Sequence, residues 1–173
     1  QNSNRQRQYA REQSLKTVYT PGFLYNGQEW RGWFVRRYMD LPEGGNPGEL
    51  KLDISDNFAR ARYSPQESSN DHLVLNIALL GFDLNSQVTA GENRGRELPH
   101  DFVMLGLETV NLKLRDGYYE TETALPTSHI TAPSYGIVAW VSKHGRQAPL
   151  QATGGWMPDR SNASALDLAD RPN

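Results

Sequence analysis

The chain has no cysteine among its 173 residues. That excludes a disulfide framework, a thiolate-ligated metal and any thiol–disulfide exchange by these residues alone. It also lacks an apolar run of about 18 residues, the length a spanning helix needs, so no transmembrane segment is expected. The most apolar stretch, Leu73 to Leu84, is interrupted by Asn76, Gly81 and Asp83 and reads as a buried strand. An excess of one charge is missing too: 18 basic against 20 acidic residues leave a net charge of −2. Nothing in that balance draws the chain to nucleic acid or to an anionic membrane. No Gly-x-Ser-x-Gly, phosphate-binding loop or dinucleotide fingerprint is present, so no cofactor is expected. The four histidines, His72, His100, His129 and His144, fall in no His-x-His or His-x-x-x-His spacing, and no metal site is expected from them.

What is present divides the chain by period. Residues 5–14 are good helix formers behind a possible Asn4 cap, with a thin apolar face. Thr17 to Trp33, TVYTPGFLYNGQEWRGW, reads as a strand, a proline turn, a second strand and a tight hairpin at Asn26-Gly27. Residues 33–40 read as a short helix with Phe34 and Tyr38 on one face. Residues 42–48 are rich in Pro and Gly and read as a linker.

Beyond it the period is two. Leu50, Leu52 and Ile54 alternate with polar residues, and so do Ala59, Ala61 and Tyr63. Leu73 to Leu79 forms the longest alternating run, apolar on its second face as well, which suits a central strand covered on both sides. Arg115-Asp116-Gly117 and His144-Gly145 mark further hairpins. Seven or more short strands argue a β-sandwich over 49–158. Leu73, Leu75, Ile77, Leu79, Phe102, Met104, Val138 and Trp140 are its expected core.

The run RQRQYAREQSLKTVYTPGFLYNGQEWRGW, with GENRGRELPHDFV further on, resembles a bacterial thioredoxin-like family, domain of unknown function 1223. The resemblance covers most of residues 5–157. It implies an α+β chain: residues 1–41 as the C-terminal half of a thioredoxin-like domain (helix, cis-Pro strand, hairpin, short helix), then the all-β sandwich. It also implies a cis bond at Thr20–Pro21, with Tyr19, Thr20 and Pro21 facing a protein or peptide thiol substrate, and a periplasmic or secreted location. The Cys-x-x-Cys usual in that family is absent, so no catalytic residue is expected in this chain. Residues 159–173 form a tail. Within it SNASALDLADRPN resembles a beginning, and reads either as a displaced N-terminal segment or as a natural tail.

One polar loop stands out, VTAGENRGRELPHDFV over residues 88–103. Glu92, Asn93, Arg96, His100 and Asp101 crowd into it, between two apolar strands. As a site they suit an anion, a peptide or a hard cation; as structure they satisfy one another around turns at Gly91 and Gly95. His100 and Asp101 are expected at the start of a strand, within reach of Arg94, Arg96 or the first segment. Two functions stay open. One is a thiol-disulfide-related thioredoxin-like protein when intact. The other is a non-enzymatic β-sandwich module that recognises a protein or glycan through Gly91 to Asp101.

Overall fold

The computed structural model describes residues 7, 8, 10–12, 23–25, 28–30, 45–92 and 94–157, with 23–25 and 28–30 in backbone only. Twelve strands dominate them. The first two, β1 (Phe23–Tyr25) and β2 (Gln28–Trp30), pair antiparallel with Tyr25 opposite Gln28. This is the register that a two-residue turn between them demands. Residues 7, 8 and 10–12 are helical. Gln8 Nε2 donates to the Gly145 carbonyl at 2.9 Å and Glu12 Oε2 accepts from the Gln147 amide at 2.8 Å, so this turn of helix sits against a hairpin of the sandwich.

The next strands are β3 (Glu49–Ser55), β4 (Phe58–Ser64), β5 (Leu73–Phe82), β6 (Leu84–Gln87), β7 (Glu97–His100) and β8 (Val103–Asn111). They are followed by β9 (Lys113–Arg115), β10 (Tyr118–Ala124), β11 (Ser134–Lys143) and β12 (Pro149–Trp156). Two four-stranded antiparallel sheets, ordered β3-β4-β10-β9 and β12-β11-β5-β8, share one apolar core. The first contributes Leu50, Ala59, Ala61, Tyr63 and Tyr119; the second contributes Leu73, Leu75, Ile77, Leu79, Ile137, Ala139 and Val141. Among the described residues β6 and β7 pair only with each other, as a ribbon that leaves the second sheet between β5 and β8.

Local chemistry accounts for the turns. Asp116 (φ 48°) and Gly117 (φ 86°) both take positive φ between β9 and β10, the two-residue turn whose twist matches that of its strands. The segment before β3 is fastened to the sandwich: Tyr63 donates its hydroxyl to the Pro47 carbonyl, and Gln151 Nε2 donates to the Gly48 carbonyl at 2.8 Å. Tyr119 likewise donates to the Ser69 carbonyl. On the outer face of β5, buried Asn76 donates to Ser142 Oγ at 3.1 Å and accepts from Thr109 Oγ1 at 3.0 Å, so its amide is not stranded.

Two expectations need correction. The α+β class does not hold: the regular structure of the described residues is antiparallel β apart from the helical residues 7, 8 and 10–12. A thin apolar stripe over 5–14 gives a helix little to bury, while the period-two pattern from residue 49 onward has a shared core to fill. The helix expected over 33–40, the Thr20–Pro21 bond and the tail 159–173 lie outside the described residues. The second correction concerns the core. Phe102 is 73% exposed and Met104 is 42% exposed, and Val138 and Trp140 are half-buried. In β11 the inward phase belongs to Ile137, Ala139 and Val141. In β8 a bulge opposite Leu79/Leu80 skips one residue, so Leu105 packs on the core and Met104 faces out.

Candidate functional site

The ribbon β6–β7 is rooted at a corner built from a repeated pair of residue types, Phe82-Asp83 on the way out and Asp101-Phe102 on the way back. Asp83 (φ 55°) and Phe102 (φ 57°) both lie in the left-handed region, which turns the chain sharply out of the sheet. Aspartate tolerates that conformation; for a bulky aromatic it is an outlier. The two junctions are tied together. The Asp83 amide donates to Asp101 Oδ1 at 3.0 Å, and Ser134 Oγ donates to Asp83 Oδ2 at 3.2 Å. At the foot of the ribbon, Ser86 Oγ and His100 Nε2 share a hydrogen bond of 2.7 Å.

Above these polar ties lies an aromatic shelf. Phe82, buried, meets Phe102 edge-on with ring centroids 4.8 Å apart and Trp156 at 4.4 Å. Trp156 comes from the last strand and is 71% exposed. Sheet pairing brings it here, since Trp156 lies opposite Gly136 and Phe82 opposite Ser134. Gly136 leaves the room: a Cβ there would stand 3.0 Å from the Phe82 ring. Three aromatic rings, two of them open to solvent, thus border two carboxylates and a hydroxyl. Such a surface can stack a flat apolar group and accept hydrogen bonds at its edge.

Of the residues expected to form a polar site, His100 and Asp101 stand at this corner, but at the end of β7 and not at the start of a strand. Their partners are Ser86 and Asp83, not Arg94 or Arg96. Glu92 lies at the far end of the ribbon and is exposed, as is Arg96. There the turn is closed by backbone bonds: Val88 donates to Arg96 and Gly95 donates to Val88. The four of them that are described, Glu92, Arg96, His100 and Asp101, are therefore spread along a hairpin. Asn93, Tyr19, Thr20 and Pro21 lie outside the described residues. Phe82, Asp83 and Ser134 were not singled out as site residues by sequence, and Phe102 was expected in the core; the Phe-Asp and Asp-Phe pairs flanking a hairpin were the available signal. Among the described residues no group of three or more His, Asp or Glu is placed to hold a metal ion. An open cavity of about 330 Å³ beside the β3–β4 turn includes Asp53, Asp56, Arg60 and Glu122, but its Arg60 is already paired with Glu122 at 2.7 Å.

The fold defines an antiparallel β protein whose described strands form two four-stranded sheets and two two-stranded ribbons. The chain belongs to the family described as protein of unknown function, DUF1223, which it matches over residues 1–142. No curated protein matches it. Among solved structures, HBP35 of Porphyromonas gingivalis superposes with a TM-score of 0.58 at 12% identity, over 88% of this chain and 56% of that one. The chain thus spans little more than half the length of that relative. At this identity the likeness is one of fold.

Proposed function

We propose that the sandwich is a non-enzymatic binding module that takes a protein or glycan at the aromatic corner, with the ribbon β6–β7 as a second contact. The observation that carries this reading is Phe102. The edge contact of so exposed a ring with Phe82 does no more than offset its left-handed backbone, which costs about 1–2 kcal/mol. Strain held at an exposed aromatic is characteristic of recognition sites. The neighbouring Trp156 and the carboxylates of Asp83 and Asp101 supply the stacking and hydrogen-bonding that a sugar ring or an extended peptide accepts. No observation favours thiol–disulfide chemistry for these residues, which include no thiol. The test is a glycan array and a peptide array, each probed with the wild-type chain, Phe102→Gly and Trp156→Ala. Wild-type binding that both substitutions abolish supports the reading. No wild-type binding on either array, or binding that survives both changes, refutes it.

A further inference from the structure

The fold brings two histidines together that the sequence keeps far apart. His72 precedes β5 and His144 follows β11, just past the last rung, Leu73 opposite Lys143. The His144 amide donates to the His72 carbonyl at 2.8 Å, so the ladder extends to this pair. Directly opposed residues of an antiparallel pair hold their side chains on one face. The two imidazoles lie there with ring centroids 5.7 Å apart, both residues exposed. The adjacent rung is settled: Lys143 Nζ meets Asp71 Oδ2 at 2.8 Å, so that cation is already partnered by a carboxylate.

We propose that His72 and His144 form a two-imidazole chelate for a late divalent transition metal, of the class of Cu²⁺, Ni²⁺ and Zn²⁺. Metal–nitrogen bonds of about 2.0–2.1 Å place two imidazoles on tetrahedral Zn²⁺ with centroids roughly 5 Å apart, and at adjacent corners of tetragonal Cu²⁺ or Ni²⁺ at about 4.5 Å. Closing from 5.7 Å therefore needs side-chain rotation but no movement of the strands. Neutral imidazole suits these metals, and the hard cations Mg²⁺ and Ca²⁺ are not candidates because they require oxygen ligands. With two protein ligands the remaining positions belong to water or to donors from a bound partner. The following turn is contacted by the helical residues Gln8 and Glu12, whose hydrogen bonds go to Gly145 and Gln147.

The experiment uses Cu²⁺ alone, added to the full chain and followed by calorimetry and electron paramagnetic resonance. His72→Ala, His144→Ala and, as controls, His100→Ala and His129→Ala are measured beside the wild type. The expected result is one Cu²⁺ with a two-nitrogen signature, weakened tenfold or more by either His72→Ala or His144→Ala. His100→Ala and His129→Ala should leave it unchanged. Melting curves verify that the variants fold; His72→Gln and His144→Gln replace any that do not. A wild-type chain that binds no Cu²⁺, or variants at both positions that fold and keep wild-type affinity, would overturn the proposal.

Discussion

At the scale of single residues, Phe102 separates two contributions that usually travel together. Its ring contact with Phe82 is worth about 0.5–1.5 kcal/mol, and its backbone strain costs a similar amount. Phe102→Ala loses the first and keeps the second, whereas Phe102→Gly loses both. Chemical denaturation should therefore find Phe102→Gly more stable than Phe102→Ala by about 1 kcal/mol, although glycine is the more flexible residue. The reverse order would show that the left-handed conformation is not strained. Tyr63 offers a second measurement. Burial, and then the neighbouring Tyr119, push its hydroxyl above the ordinary tyrosine value. The folded state thus holds this proton to higher pH than the unfolded state does. The stability it contributes is fully present below about pH 10 and is lost as pH rises through the folded-state value. Urea midpoints taken from pH 8 to 11 should fall less steeply in Tyr63→Phe than in the wild type.

At the scale of elements, the ribbon β6–β7 pairs with no strand of the two larger sheets among the described residues. Apart from half-buried Leu84, all its strand residues are exposed. Replacing residues 88–96 with Asn-Gly, so that Gln87 and Glu97 close a two-residue turn, keeps the last rung of the ribbon. The melting temperature is expected to stay within about 3 °C, the equivalent of roughly 1 kcal/mol for a chain of this length. A loss of more than about 10 °C would place the ribbon inside the cooperative unit. Some elements were legible in the sequence. Ala59, Ala61 and Tyr63 are buried as their alternation required, and Arg115-Asp116-Gly117 makes its hairpin. What could not be read was the phase of strands apolar on both sides. Nothing local distinguishes Val138 and Trp140 from Ile137 and Ala139, and a bulge near Leu105 decides which residues of β8 face inward. The site was half legible for a related reason. His100 and Asp101 announced a polar loop, but Trp156 reaches Phe82 only through the pairing of β5, β11 and β12.

At the scale of the whole molecule, one core serves both sheets, so damage at its centre should be felt everywhere. Leu75 is completely buried between them. Leu75→Ala should cost about 2–5 kcal/mol, read as a lowered denaturant midpoint with one shared transition for tryptophan fluorescence and far-ultraviolet dichroism. An unchanged midpoint would remove Leu75 from the core. The order of the second sheet also bears on how the chain comes to be made. β5, LVLNIALLGF, is buried along nearly its whole length, yet its inner neighbour β11 is synthesised much later. Until β11 leaves the ribosome, a long apolar strand has one ladder of amides and carbonyls with no partner, the situation that invites strand-to-strand aggregation. Pairing so distant in sequence is also slow to close, on the order of milliseconds to seconds. The yield of folded protein should therefore depend on how fast translation carries the chain past Lys143.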